Sequence, residues 1–155
     1  MSGFSRGVIW FNRVMLVAAT FIMTMIALRN LLDPIGATMP LDIALESPSA
    51  VTIVRVGFGG FPLGFAAALF VCLIATRRLL TGMFLVFAVV GAATLARVQG
   101  LVLDGATPYN LHLLAPEITI VTLSLVGIAL ELRRRRGEDD RARHRSAILQ
   151  PSPSR

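Results

Sequence analysis

At 155 residues, 55% of them hydrophobic and only 15% charged, the chain is composed for an apolar surrounding, since soluble domains carry roughly 25% charged residues. The formal net charge of +6 is concentrated in "RRRRGEDDRARHR" (residues 133–145), directly after an apolar segment, and the mean hydropathy is +0.73. Basic residues placed there flank a membrane span rather than decorate a folded face, so we read no nucleic-acid partner.

The first apolar segment runs from about Val8 to Leu32. A basic start before an apolar stretch resembles a signal peptide, but no small-x-small cleavage site follows, so the segment reads as a membrane helix. The connection "DPIGATMPLDIALESPS" contains Pro34, Pro40 and Pro48 and reads as a loop, with a short surface helix over "LDIALE". The second segment spans 51–75, the third 79–103 and the fourth 109–132. Each exceeds the roughly 20 residues that cross a ~30 Å hydrocarbon core as a helix, and in lipid the backbone must satisfy its own hydrogen bonds. The expected fold is therefore all-α: an integral membrane four-helix bundle. The turn "TRRLL" makes the second and third helices antiparallel neighbours, and "DGATP" joins the third to the fourth. We expect residues 1–132 to form the membrane domain and 133–155 a basic, disordered tail, rich in charge and then in Pro and Ser.

Arg6 and Arg13, then Arg77 and Arg78, then Arg133–Arg136 fall on one side when the span count is even. The positive-inside rule makes that side, and both termini, cytoplasmic. Asp33, Asp42, Glu46 and Asp104 occupy the opposite connections.

Three charges lie in the outer third of the spans, several residues in from the outer helix ends. Arg55 is roughly 7 Å below the outer end of its helix, Arg97 roughly 9 Å and Glu117 roughly 12 Å, at 1.5 Å per residue. A charge at mid-helix costs about 2.5–3.5 kcal/mol on insertion scales, which favours inward-facing groups that neutralise one another. Glu117 is the acid deep enough to meet Arg55 and Arg97, with Asp104 above as a second counter-charge. On the fourth helix Asn110, Glu117, Ser124 and Glu131 recur every seven residues and share a face, while Arg97 and Asp104 do the same on the third. Arg55 shares a face with Gly59, Pro62 and Ala66, whereas Gly57, Gly60, Gly64 and Ala68 form a small-residue stripe expected to pack a neighbouring helix.

Other residues carry less. Cys72, alone, reads as a small apolar side chain. His112 and His144 stand apart, no metal-ligand spacing surrounds them, and no cofactor motif is present. "GFGGFPLG" lacks a preceding strand and the GK[ST] of a phosphate loop. Thr20 and Thr24 are expected to bond their own helix backbone, and Trp10 to anchor the cytoplasmic interface.

Arg55 followed by Gly59-Gly60, the Arg77-Arg78 turn, Arg97 before "LDG" (103–105), and Glu117 together resemble a family of small bacterial membrane proteins, domain of unknown function 4345. Its helix plan is similar to that of DoxX-like four-helix proteins. The resemblance covers roughly residues 10 to 132; it implies the bacterial inner membrane, brings no activity, and places its pattern on Arg55, Arg97, Asp104 and Glu117.

Two roles remain for that cluster: a pocket open to the outer side for an anionic or lipid-like ligand, or an ion-pair network that fixes helix register. The leading reading is a non-enzymatic accessory or binding module in the bilayer, alone, as a homo-oligomer, or within a larger membrane complex. The alternative is a small transporter or proton-handling subunit with Glu117 as the titrating group. An enzyme acting on a lipid-like substrate, with Glu117 and Asp104 as acid and base, ranks last.

Overall fold

The computed structural model describes residues 3–149, and every regular element in it is helical. Helix α1 covers Gly3–Leu32. Its end is followed by a short helix, α2 (Pro34–Thr38), and a 3-10 turn, Met39–Leu41. Asp33 explains where α2 begins: its carboxylate accepts from the Gly36 backbone N–H at 3.0 Å, and Pro34 supplies a ring-fixed φ where a missing N–H costs nothing. The surface helix therefore lies ahead of "LDIALE", of which residues 43–46 are irregular.

The second span is one continuous rod of three parts: α3 (Pro48–Val54), a π-helical stretch (Arg55–Gly60) and α4 (Phe61–Ile74). Pro62 accounts for the wide turn. Proline has no N–H to give and its ring collides with the carbonyl four residues earlier. Just before it, the Phe61 N–H reaches back five residues to the Val56 carbonyl. A short 3-10 turn, Thr76–Arg78, leads into α5 (Leu79–Leu103). Asp104 and Gly105 end that helix, Gly105 with φ of +95°, a left-handed value that glycine adopts at no steric cost. Helix α6 is continuous from Pro108 to Leu149. The expected disordered tail is thus helical through residue 149, while "QPSPSR" (150–155) lies outside the described residues.

Four stretches are long and apolar enough to cross a membrane: Gly3–Leu32, Pro48–Ile74, Thr76–Leu103 and Pro108–Asp140. Their outer surfaces carry large apolar side chains such as Trp10, Phe21, Phe61, Leu95 and Val102, all exposed. A water-soluble monomer rarely shows apolar area on that scale, whereas lipid solvates it. The protein is an all-α membrane helical bundle.

Helix α1 packs along α4 and the π stretch, and α5 along α6. The core is not spread evenly along the rods. Leu16, Leu69, Leu79, Met83, Val86, Val90 and Ile128 form one cluster in the half nearest the Thr76–Arg78 turn. Beyond Val90, α5 buries no residue fully until its end, and α6 buries none before Ser124. Close approach in the packed half depends on two glycines. A Cβ on Gly82 would sit 2.8 Å from a Leu16 methyl, and one on Gly127 would sit 2.5 Å from Asn12 Oδ1 and from Met83 Cε.

The stripe Gly57, Gly60, Gly64 does not serve this purpose within the chain. A Cβ at Gly57 or Gly64 would meet nothing within 4 Å, and one at Gly60 only its own helix. The buried glycine of that span is Gly59, pressed against Leu31. Helix α1 occupies the other face, the one bearing Gly59 and Ala66.

The basic segments meet at one end of the bundle. Arg13 donates to the Thr76 hydroxyl at 3.2 Å, Arg135 to the Arg77 carbonyl at 2.6 Å, and the Ser5 hydroxyl to Glu138 at 3.2 Å. Here Glu131, fully buried, accepts from Arg134 and Arg135 one turn further along α6, at 2.7 and 3.0 Å.

Candidate functional site

At the opposite end, Arg97 on α5 and Glu117 on α6 come together. Arg97 Nε donates to Glu117 Oε2 at 2.9 Å and Nη2 to Oε1 at 2.7 Å, a two-point pairing of planar groups that fixes orientation as well as distance. Nη1 donates to Asn110 Oδ1 at 3.0 Å, so one guanidinium draws on two residues seven apart on α6. Their shared face is a consequence of helix geometry, since seven residues fall close to two turns. The side chains of Arg97 and Glu117 are 22% and 18% exposed: sheltered, but within reach of water.

A guanidinium has five N–H groups, and three are used. The remaining two face no acceptor among the described residues. Because the Asn110 oxygen is turned to Arg97, its amide nitrogen is also free to donate. Arg97 and Asn110 border a cavity of about 450 Å³, whose other walls are Thr107, Tyr109 and Leu113 of the α5–α6 region and Pro40, Leu41, Asp42 and Ile43 of the first connection. Asp42 caps the 3-10 turn in a left-handed conformation, φ 55° and ψ 30°, an uncommon one that aspartate tolerates better than most residues. Its carboxylate has no hydrogen-bond or ion-pair partner among the described residues.

The structure does not bring Arg55 or Asp104 to this pair. Arg55 begins the π stretch, is exposed and has no ionic partner among the described residues. Uniform α-helical phase placed it on the face of Gly59; the wider π turn changes the rotation per residue, and the two separate. Asp104 is exposed at the end of α5, its carboxylate lying near Gly100 of its own helix. His112 is exposed on α6, apart from the cavity lining. No group of three metal-ligating side chains occurs among the described residues.

A family model described as a domain of unknown function, DUF4345, matches residues 11–128. The chain belongs to the DUF4345 family. No curated protein and no solved structure matched it. The DUF4345 match contains the whole Arg97–Asn110–Glu117 group and Asp42, and it ends before the Glu131 cluster.

Two features of this DUF4345 chain escaped the sequence. Asp42 reaches the cavity only because the first connection meets α5 and the start of α6 there, which no helical spacing encodes. Asn12, fully buried on α1, donates weakly to the Gly127 carbonyl at 3.5 Å, and its Oδ1 has no partner among the described residues. Its signal was available: an amide side chain inside an apolar span, in a bundle whose last span bears an isolated glycine. Thr24 bonds the Thr20 carbonyl as expected, but the Thr20 hydroxyl is itself buried without a partner among the described residues.

Proposed function

We propose that this protein is a non-enzymatic binding module of the bacterial inner membrane, its basic end in the cytoplasm and its Arg97 cavity at the outer leaflet. The observation that carries the reading is the state of Arg97. Its charge is matched by Glu117 across two helices, yet it and Asn110 line a cavity in the size range of small-molecule sites while keeping N–H groups unengaged among the described residues. An ion pair needed only for register is expected to close on itself, as Glu131 does with Arg134 and Arg135. The basic segments gathered at the other end support the orientation, and exposed Gly57, Gly60 and Gly64 leave a surface on which a second copy or another membrane helix would pack.

The proton-handling alternative has less support. Both Glu117 oxygens are already engaged by Arg97 in a two-point pairing.

The test compares wild type with Arg97→Met/Glu117→Leu, which removes both partners and leaves no lone charge. Native mass spectrometry of protein extracted in mild detergent should show a bound small molecule or lipid on wild type and not on the folded double variant. The same adducts on both would reduce the pair to a structural role.

A further inference from the structure

We infer that the Arg97 cavity takes a zwitterion: a phosphate monoanion joined to a primary ammonium group, as in an ethanolamine-phosphate lipid headgroup or the free phosphorylated amine. This rests on the binding-module reading above. Charge on the cavity walls is what narrows the class. Arg97 and Glu117 cancel, and Asp42 remains among the lining residues as a carboxylate unpaired among the described residues. A ligand carrying only negative charge gains the spare donors but meets Asp42; one carrying only positive charge meets Asp42 but leaves those donors idle.

A zwitterion satisfies both the donors and Asp42. Its phosphate oxygens accept from the two unused N–H groups of Arg97 and from the Asn110 amide, the planar donor geometry that suits phosphate. Its ammonium group donates to the Asp42 carboxylate. A primary ammonium has three N–H groups to give, whereas a quaternary one has none and is usually recognised by an aromatic cage. The cavity offers a single ring, Tyr109. Leu41, Ile43 and Leu113 supply apolar wall beside the polar group, and the neighbouring α6 surface, including exposed Leu111, is apolar. Acyl chains could leave the site along it.

The experiment places the purified full chain in nanodiscs of equimolar phosphatidylethanolamine, phosphatidylglycerol and phosphatidylcholine and identifies the lipids it retains on release in a mass spectrometer. Wild type should retain phosphatidylethanolamine at least fivefold over either other lipid. Asp42→Asn should bring that preference within twofold at an unchanged melting temperature, because Asp42 is exposed and supports no packing. Free O-phosphoethanolamine that displaces the lipid at micromolar concentration would assign the site to the soluble molecule, and displacement only at tens of millimolar to the lipid; either outcome supports the zwitterion. Phosphatidylglycerol retained above the other two, with retention lost in Arg97→Met/Glu117→Leu, would overturn the zwitterion and leave the binding reading standing. A phosphatidylethanolamine preference untouched by Asp42→Asn would overturn it as well. If neither a lipid nor the free compound binds wild type more than the double variant, both the zwitterion and the binding reading fail.

Discussion

The two halves of this bundle use charge differently. In the half near the Thr76–Arg78 turn, Glu131 is fully buried and answered by arginines three and four residues along the same helix, above a dry cluster of Leu, Met and Val. In the other half Glu117 is answered across helices by Arg97, no fully buried side chain of α5 or α6 surrounds the pair, and a cavity opens beside it. Local pairing closes a site. Pairing between separate helices beside a loosely packed region leaves donors over, and those donors are what a ligand could use.

That contrast can be broken most forcefully at its closed end. Glu131→Ala removes one of the two carboxylates that hold Arg134, whose side chain is only 8% exposed, and leaves Glu138; it should cost about 3 kcal/mol, the low end for breaking a buried pair. Unfolding by SDS titration in mixed micelles would measure it, and a loss below 1 kcal/mol would mean water reaches the cluster. At the open end Glu117→Ala should cost about 1–3 kcal/mol, because solvent can partly replace the lost partner. Arg97→Met/Glu117→Leu should recover most of that loss in the same titration.

Glycines sharpen the same comparison. Gly127→Ala forces Asn12 and Met83 apart in the packed half and should cost about 1–3 kcal/mol. Gly64→Ala, with nothing within 4 Å, should stay within about 0.5 kcal/mol of wild type. Matched thermal melts in detergent would distinguish them, and equal losses would show that the outward glycine face is also packed, by a partner chain. The smallest effect belongs to Arg55→Gln, which should leave the melting temperature unchanged since Arg55 holds no partner among the described residues.

Much of this was legible in the sequence, for definable reasons. Span number follows from apolar run length, and the meeting of Arg97 with Glu117 from depth and from the heptad of Asn110, Glu117, Ser124 and Glu131. Arg55 was misplaced because helical phase assumes 3.6 residues per turn, and Pro62 forces a wider one at that point. The glycine stripe has no neighbour within the chain, since periodicity identifies a face without identifying what covers it. Asp42 could not be foreseen, since its position depends on how an irregular connection folds across two helices. The charged segment 133–149 looked disordered by composition, yet Arg134 and Arg135 reach back to Glu131 and support continued helix.

The most direct measurement is a single-cysteine reactivity scan down α6 in a Cys72→Ser background, using a membrane-impermeant maleimide added from the outer side of sealed vesicles. Asn110→Cys and Leu113→Cys line the cavity and should label readily, while Ser124→Cys and Ile128→Cys, both buried, should stay silent. Uniform silence from residue 110 to 128, or labelling of 110 and 113 only from the inner side, would contradict a hydrated, outward-facing cavity above a sealed core.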